Sequence, residues 1–541
     1  MRRYRAVSLA VFVVAVCALV GGLFGRGAFA TEERLPQDYR AFTSALSIVQ
    51  SRYVGSYQSD QLVYGAIRGM LQTLDPHSNF MDPQEYAQLR ERQEGHYYGI
   101  GITIQSVNGT ISVVSIFDGS PAYKAGIRRG DQIATIDGQT TKGWTSDQAV
   151  DKIKGAKGTN VALGIQRFGY AEPVPIQVAR DEIHILSVPA AFMIDSTTGY
   201  VRISEFAETT DEELGHALQD LASKGMKRLV FDLRGNPGGA LDQAIRVANR
   251  FLPKGDVIVS THGRIANSDE DYRATEPSQF TDMPMIVLVN RSSASASEIV
   301  TGALQDHDRA LVVGETTFGK ALVQSVYRIS GGAGLALTTA HYFTPSGRMI
   351  QRPWDASFDD YLTYTMRPQD DHRKHSPDEL KHTDGGRPVY SGGGIEPDRR
   401  MDGPIEGFNP TAFGRTLAAR QEFARFAERF SSATDHRITE KSTGRHLVER
   451  GFSVDDQMVN EFRDQLKQEN LQIDEASFTK DLPFIKAMIQ DQINLALFGT
   501  NVASEQLIKL DPQAQYALGL FSEARQLTEL SKTKAKAGDG R

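Results

Sequence analysis

The pattern of apolar and polar positions predicts a strand, a turn and a helix near the middle of the chain. Met285 to Val289 is an apolar run typical of a buried strand, and Glu298 to Asp306 carries an apolar stripe at helical spacing. A turn of small residues, Asn290 to Ser297, joins them, and Ala310 to Gly314 reads as a second buried strand. This order places a serine at a helix N-terminus, where free backbone N–H groups stabilise developing negative charge.

The same alternation continues across residues 183–403 and predicts a layered α/β core. The remaining predicted elements are strands at Gly199–Phe206 and Arg228–Leu233, strands near 322–329 and 335–343, a helix at Thr210–Lys224, and a helix that follows DLRGNPGG (Asp232 to Gly239) and ends near Phe251. Residues 353–391 interrupt the pattern as a polar insertion. Its three histidines (His372, His375 and His382) favour a solvated segment over a metal site, and no metal or other cofactor is expected.

Residues 31–95 are predicted to be mainly helical. One helix spans Gln37 to Tyr53, and Ser59 is expected to cap a second, which carries Leu62, Ala66, Met70 and Leu74. The following Asp75, His77 and Ser78 have the residue types of a catalytic triad. Because they are so close in sequence, a proline-punctuated turn is the preferred interpretation.

The predicted C-terminal region, residues 404–541, is a helical extension. Its apolar faces contain Phe423, Phe426 and Phe430 in one segment and Ile485, Ile489, Ile493 and Ala496 in another. Such faces serve packing, self-association or the docking of an adaptor.

Residues 96–182 combine a glycine loop, strands and one helix. Gly99 and Gly101 flank Ile100 before Ile102, so backbone N–H groups in this loop could face one anion. A strand is predicted at Ile111 to Val114 and a helix near Ser146 to Ile153. An extended peptide could join the sheet edge with its carboxylate in the loop. With SPAYKAGIRRGDQI and the IDG turn, the segment resembles a PDZ domain.

Composition narrows the function classes. A chain of 541 residues exceeds a single core and predicts three or four domains, and 40% hydrophobic with 23% charged residues is ordinary for a globular protein. The formal net charge of −7 argues against nucleic-acid binding.

Residues 1–30 have the pattern of an export signal. Arg2, Arg3 and Arg5 precede the apolar run at residues 6–24, and Ala28-Phe29-Ala30 resembles a cleavage site before Thr31. Cleavage would release the protein across the membrane, into the periplasm or an equivalent space. The alternative is that residues 6–24 remain as a membrane anchor. Cys17 is the single cysteine and lies within the signal, so the exported part has no disulfide.

Across residues 37–403 the chain resembles the carboxy-terminal processing serine proteases. The motifs that carry the resemblance are LDPHSNFMDPQEY, YGIGI, RISEF, DLRGNPGG, VNRSSASASEI, GETTFGKALVQ, TPSGRMIQ and GGIEPD. The resemblance implies a serine–lysine endopeptidase with an embedded PDZ domain. It further implies Ser295 as nucleophile, Lys320 as general base and Gln324 as the residue that orients the lysine. The oxyanion hole would consist of the N–H groups of Gly239 and Ala296.

The chemistry of a serine–lysine pair can also be argued from the residues themselves. A lysine accepts a proton only when neutral, and at a reference pKa of about 10.4 roughly one lysine in a thousand is neutral near pH 7.4. Burial among Phe318, Ala321 and Leu322 is expected to lower that pKa by desolvation. Gln324 lies four residues after Lys320, so the two side chains can share a face in either a strand or a helix.

The leading hypothesis is an exported endopeptidase that captures free, non-polar C-terminal tails through Gly99 to Ile102. A trypsin-like PDZ protease is the nearest rival, but Pro237 occupies the serine position of its GNSGG motif. An inactive binding scaffold is a further alternative, and the joint presence of Ser295, Lys320 and Gln324 argues against it. If the base lay elsewhere, His341 on a core strand would be one candidate.

Overall fold

The computed structural model describes residues 35–107, 109–167, 169–265, 268–354, 358–366, 374–401, 410–432 and 445–538. The chain divides into two units, residues 1–82 with 326–337 and residues 83–325 with 338–541, which are described separately. The predicted signal at residues 1–30 lies outside the described residues. Within the described part of the chain, no helix is long and apolar enough to cross a membrane.

The first unit contains two helices and a short strand. Its elements are α1 (Leu35–Arg52), α2 (Ser59–Leu71) and β1 (Asn79–Met81), and β1 pairs antiparallel with residues 334–336. Leu71, Phe80 and Ala333 form its small buried core. Two predicted details are wrong here. Gln58, not Ser59, is the N-cap of α2, and Leu74 lies beyond the end of that helix.

The segment from Asp75 to Ser78 is the predicted turn. Asp75 Oδ1 accepts hydrogen bonds from the backbone N–H groups of His77 and Ser78, both at 2.8 Å, and Oδ2 accepts from Ser78 Oγ at 2.6 Å. These bonds are the pattern of an aspartate that closes a turn on its own backbone. The expectation of a turn is therefore confirmed.

In the second unit, helix α3 (Pro83–Glu94) leads into a β-rich module. Strands β2 (His96–Gly99) and β9 (Asp181–His184) pair antiparallel as the entry and exit of the module. Its sheet has the strand order β3-β4-β5-β7-β8, with β6 paired to β5. The bounds are β3 (Ile102–Val107), β4 (Thr110–Ile116), β5 (Gln132–Ile136), β6 (Gln139–Thr140), β7 (Asn160–Gln166), β8 (Val174–Ala179), α4 (Pro121–Lys124) and α5 (Ser146–Ile153). The module has its own apolar core, which includes Ile111, Ile133 and Val161.

A six-stranded sheet forms the centre of the second unit, in the order β10-β11-β12-β15-β16-β21. All neighbouring strands are parallel except the antiparallel pair β10 and β11. The strands are β10 (Ala190–Met193), β11 (Thr198–Arg202), β12 (Arg228–Asp232), β15 (Met285–Val289), β16 (Leu311–Gly314) and β21 (Arg399–Arg400). The all-buried run predicted at Met285–Val289 is confirmed as a central strand.

Alternate residues of these strands enter two different cores, because successive side chains of a strand point to opposite faces. On one face, Val287 and Val289 pack with helices α6 (Thr210–Ser223), α7 (Leu241–Asn249) and α8 (Ala296–Asp306). On the other face, Ile286 and Leu288 pack with apolar residues of α15 (Thr500–Leu510), α16 (Pro512–Leu518) and α17 (Phe521–Gly538). The end of the predicted C-terminal extension thus forms the second helical layer of the α/β core.

The earlier part of the extension has a separate core. Phe423, Phe426 and Phe430 are buried together with Ile485, Ile489 and Ile493, and Ala496 is partly buried against them, which confirms the two predicted apolar faces. The elements are α10 (Ala412–Ala419), α11 (Glu422–Ala427), α12 (Asp456–Gln468), α13 (Glu475–Lys480), α14 (Leu482–Phe498), β22 (Phe430–Ser432) and β23 (His446–Val448).

A second sheet borders the central one. Strand β13 (Val257–Gly263) pairs antiparallel with β14 (Glu270–Arg273) and with residues 340–343 of β18 (Gly334–Phe343), to which β17 (Leu322–Arg328) also pairs. The 353–391 insertion contributes helix α9 (Phe358–Leu362) and the hairpin of β19 (Leu380–His382) and β20 (Pro388–Tyr390).

Candidate active site

Ser295 lies at the junction between the small-residue turn and helix α8. Its backbone has φ +54° and ψ −115°, a conformation that costs free energy for a residue with a side chain. The turn is fixed by Ser293, whose hydroxyl donates to Leu233 O at 2.8 Å and accepts from Asn290 N at 3.0 Å. The strained serine is therefore held at the helix N-terminus, in the position that the sequence predicts.

The carboxylate of Glu298 links Ser295 to Lys320. It is fully buried, and Oε2 accepts hydrogen bonds from the backbone N–H groups of Ser295 and Lys320, both at 2.9 Å. Oε1 accepts from Gly319 N at 2.7 Å and from the Thr317 hydroxyl. Burial raises the pKa of Glu298 above its usual range, and these four hydrogen bonds oppose that rise.

Tyr342 connects the same two residues through their carbonyl groups. Its buried hydroxyl lies 2.7 Å from Lys320 O and 3.2 Å from Ser295 O, so a single proton faces both acceptors. Burial raises the pKa of Tyr342 well above its usual value, which keeps the hydroxyl protonated and able to donate. Glu298 and Tyr342 together hold the backbones of Ser295 and Lys320 in a fixed relation.

The side chain of Lys320 points along the start of strand β17. Its Nζ donates to Gln324 Oε1 at 3.0 Å, as expected for two residues four apart. Lys320 itself is partly buried, and the next two residues, Ala321 and Leu322, are buried. The lowered pKa that the sequence predicts for this lysine stays a prediction.

Aromatic residues of the 353–391 insertion cover the turn before Lys320. The ring of Phe318 lies 5.2 Å from that of Tyr361 and 6.0 Å from that of Tyr364, measured between centroids. Tyr361 is buried, and Tyr364 donates to Thr316 O at 3.1 Å. The expectation of a solvated insertion is wrong for this part of the segment. Tyr361 and Tyr364 belong to a short run of aromatic residues spaced three or four apart, with Trp354 and Phe358, but the many charged residues of the segment concealed that signal.

The histidines of the insertion take different positions. His375 stacks on Tyr390 with 3.8 Å between ring centroids, and its two ring nitrogens each lie 3.2 Å from a carboxylate, of Glu379 and of Glu396. His382 is on strand β19, and His372 lies outside the described residues. In the described part of the chain, no group of three or more His, Cys, Asp or Glu side chains is arranged so that it could hold a metal ion.

A glycine-rich loop approaches Ser295 from strand β12. Asn236 is buried, its backbone O accepts from Ala294 N at 3.0 Å, and its side chain accepts from Gly238 N at 2.8 Å. Gly238 has φ +102°, and a Cβ added there would lie 2.8 Å from Ser295 Cβ. Gly239 forms a bridge with Phe206. The two segments predicted to supply oxyanion-hole N–H groups, Gly239 and Ala296, are thus adjacent in the fold.

The segment from Gly99 to Ile102 joins β2 to β3, and β3 is an edge strand of its sheet. Gly101 has φ +81°, and a Cβ added there would lie 2.3 Å from Ser120 Cβ, so only glycine fits. Helix α5 lies beside β3, and Ser106 N donates to Ser146 Oγ at 2.9 Å. A glycine loop, an open edge and a neighbouring helix are the parts that a peptide-binding PDZ groove requires.

Glu298 and Tyr342, the two residues that link Ser295 to Lys320, were not identified from the sequence. Glu298 follows Ser295 by three positions, which is the spacing of a capping box, so a local signal for it existed. Tyr342 reaches the site from a distant strand, and no local pattern announces it. His341, the alternative base, lies on the same strand opposite His262 of β13.

Comparison with known proteins identifies the class. Residues 197–354 match the profile of Peptidase family S41, residues 88–166 match the PDZ domain, and residues 27–85 match the activating protease CtpB N-terminal domain. The fold and these matches define a peptidase with a PDZ domain.

Comparison with individual relatives identifies the family within that class. It is 42% identical over 324 residues to the carboxy-terminal-processing protease of Bartonella bacilliformis, which covers 59% of this chain and 74% of that protein. It is 38% identical over 305 residues to the carboxy-terminal processing protease CtpA of Bacillus subtilis, covering 56% of this chain and 65% of the relative. Among solved structures, the photosystem II D1 C-terminal processing protease is 28% identical, with 66% of this chain and 87% of that chain covered and a TM-score of 0.35. The protein belongs to the carboxy-terminal processing serine proteases, as its motifs predict.

Proposed function

We propose that this peptidase cuts its substrates with Ser295 as nucleophile and Lys320 as general base. The observation that carries the proposal is the double link between them, through Glu298 at the N–H groups and Tyr342 at the carbonyls. A nucleophile and a base on separate segments must be held in register for one proton to pass between them, and these buried links supply that support.

In the proposed reaction, the neutral Lys320 amine takes the proton of Ser295 Oγ as that oxygen attacks the substrate carbonyl carbon. The carbonyl electron pair moves to oxygen, and the N–H groups of Gly239 and Ala296 stabilise the resulting charge. The Lys320 ammonium then protonates the departing amine, and the acyl-enzyme forms. A water molecule then attacks the acyl carbon while Lys320 takes its proton, and the new acid leaves as Ser295 Oγ regains a proton from the Lys320 ammonium. Gln324 orients the lysine without adding charge, as its 3.0 Å contact with Nζ supports.

The PDZ domain is proposed to select substrates by a free, non-polar C-terminal tail. The N–H groups of the loop from Gly99 to Ile102 would bind the carboxylate, and the peptide would extend along β3. The last side chain would enter the space between β3 and α5, where Ile100, Ala149 and Ile153 are buried and Ile102 is partly buried. Apolar walls with convergent backbone donors suit such an end group.

The protein is also proposed to act outside the cytoplasm, on exported proteins. Support comes from the basic, apolar and small-residue pattern of residues 1–30. N-terminal sequencing of the mature protein should return Thr31. Recovery of Met1 from a cytoplasmic product would contradict export, and recovery of Met1 from membranes would indicate that residues 6–24 are an anchor. The predicted apolar faces of the C-terminal helices are buried within the chain itself, so an adaptor or a second copy would have to bind other residues of these helices.

The Ser295→Ala variant tests the catalytic proposal. Turnover of a peptide with a non-polar free C-terminus should stop, whereas binding of the same tail should persist because the tail site is in another domain. Ser292→Ala is a matched control on the same turn. Normal turnover in Ser295→Ala would refute the assignment of the nucleophile.

A further inference from the structure

Arg234 joins the glycine-rich loop to the C-terminal helical layer. Its guanidinium pairs with Asp232 and with Asp511, with a shortest N–O distance of 2.6 Å in each case. It also donates to Gln513 Oε1 at 2.9 Å. Asp511 and Gln513 lie more than 270 residues after Arg234, at the start of helix α16, and the central sheet separates that helix from α8.

Further hydrogen bonds hold the partners of Arg234 in place, both on helix α16 and on strand β12. Asp511 is the N-cap of α16 and accepts from Gln513 N at 2.9 Å, while Gln513 Nε2 donates to Met401 O at 2.8 Å. On the other side, Asp232 is buried and also accepts from the Tyr200 hydroxyl at 2.8 Å. Arg234 is thus a mostly buried cation between two carboxylates, and loss of either would leave its charge poorly balanced.

The position of Arg234 is transmitted directly to the loop that follows it. The next residue, Gly235, donates its N–H to Asn290 Oδ1 at 2.9 Å, and Asn236 O accepts from Ala294 N and from Ser297 Oγ, both at 3.0 Å. These bonds tie the loop to the turn that carries Ser295. A shift of Arg234 therefore strains the contacts that place Gly238 and Gly239 beside the nucleophile.

We propose that Asp511 and Gln513 are positioning residues for the oxyanion loop, so that the C-terminal helices form a working part of the catalytic unit. They hold Arg234 from the opposite side of the sheet, and Arg234 holds the start of the loop. Both residues lie outside the segment that matches the peptidase family profile, residues 197–354. The inference rests on the proposed function, because it takes the N–H of Gly239 as an oxyanion donor.

The Asp511→Asn variant separates positioning from folding. Asparagine caps helices as well as aspartate does, so α16 keeps its cap while Arg234 loses a charged partner. We expect kcat to fall by about tenfold or more with KM unchanged, since misplacement of an oxyanion donor affects the transition state more than the bound substrate. Affinity for a peptide aldehyde, whose adduct with Ser295 places an oxygen in the oxyanion hole, should fall in parallel.

Two further variants sharpen the test. In Asp511→Asn combined with Gln513→Glu, a carboxylate returns to Arg234 through the position that already contacts it, so kcat and aldehyde affinity should recover. Gln513→Met removes the other contact and keeps the cap, so a smaller loss of kcat is expected even if Asp511→Asn does not fold. Asp455→Asn, the same change at the N-cap of α12, is the matched control and should alter nothing.

Unchanged kcat and aldehyde affinity in Asp511→Asn and Gln513→Met would overturn the proposal. A loss confined to thermal stability would do the same, because it would indicate a structural role only. If Ser295→Ala is inactive in the same assay, the proposed catalytic site survives that result. Activity in Ser295→Ala would instead refute the proposed function itself.

Discussion

The backbone N–H groups of Ser295 and Lys320 donate to the same atom, Oε2 of Glu298, each at 2.9 Å. The two residues come from different segments, 25 positions apart in the chain, and meet on one buried carboxylate. Since Glu298 belongs to the first turn of α8, its carboxylate joins Ser295, the start of that helix and the segment that leads into β17. The shared carboxylate therefore fixes the backbones of Ser295 and Lys320 relative to each other.

Glu298→Gln should lower kcat by roughly 100-fold or more, because an amide offers one acceptor oxygen where four donors converge and turns its NH₂ toward N–H groups. Steady-state kinetics with a tail peptide checks this, and KM should change little. Glu315→Gln is the matched control. It alters another buried carboxylate of the core, which pairs with Arg291 at 2.7 Å. Equal effects of the two variants would contradict a specific role for Glu298.

Gly238→Ala should abolish most turnover. The added methyl would lie 2.8 Å from Ser295 Cβ and 2.9 Å from Ala296 N, at a backbone φ of +102°. Gly235→Ala is the control on the same loop. It also has a positive φ, of +73°, but the added methyl meets only Arg202 at 3.9 Å. Kinetics of both variants at equal folded concentration should show a large loss of kcat in the first and a small one in the second.

Gly101→Ala should weaken the binding of free tails and raise KM, since the methyl would collide with Ser120 and distort the loop. Amidation of the tail should produce a similar loss in the unaltered enzyme by removing the carboxylate. Gly119→Ala, in the same domain with φ +71° and open space around the added methyl, should bind normally. Calorimetric titration with free and amidated peptides gives the result. Equal affinity for both peptides would rule out recognition of the C-terminus.

Protonation of His307, which follows the last residue of α8, should make the free energy of unfolding depend on pH. Although burial lowers its pKa, hydrogen bonds from its ring to Asp384 Oδ2 at 2.8 Å and Val257 O at 2.7 Å, with the charge of Asp256 nearby, raise that pKa to about 9. The protonated form is thus favoured by folding. Its contribution, about 3 kcal/mol, is complete below pH about 6.5 and is lost as the pH rises through 9.

Thermal unfolding between pH 6 and 9.5 checks this prediction. The melting temperature of the unaltered protein should fall across the upper part of the range, and His307→Gln should flatten that part of the profile. His262→Gln, at an exposed histidine of β13, should leave the profile unchanged. A profile that is the same in His307→Gln and in the unaltered protein would contradict the assignment.

The spacing of apolar residues along the chain was enough to predict several individual strands and helices. The run at Met285 to Val289 and the helix at Ser146 to Ile153 are found with the predicted bounds, because apolar spacing and capping residues specify them. The contact of Lys320 with Gln324 follows from a separation of four residues. That Lys320 and Gln324 belong to the same site as Ser295 could be inferred only from the resemblance to a family, since no spacing in the chain encodes it.

Contacts made across long sequence separations escaped prediction. The apolar residues of α15 to α17 have ordinary helical spacing, and nothing in that spacing says that they cover the central sheet. Tyr342 and Asp511 contact residues far away in the chain, the first through hydrogen bonds of its hydroxyl and the second through its ion pair with Arg234. The insertion was misread for a related reason: its overall polarity concealed two tyrosines that pack on Phe318.

The central claim is that Lys320 accepts the proton of Ser295, and Lys320→Arg tests it most directly. Arginine keeps the positive charge and can still contact Gln324, but guanidinium stays protonated and cannot act as a base. We predict turnover as low as in Lys320→Ala at every pH, against an activity of the unaltered enzyme that rises with pH as the lysine loses its proton. Tail binding should be preserved in both variants. Near-normal turnover in Lys320→Arg would contradict the account, and His341 would then be the next residue to replace.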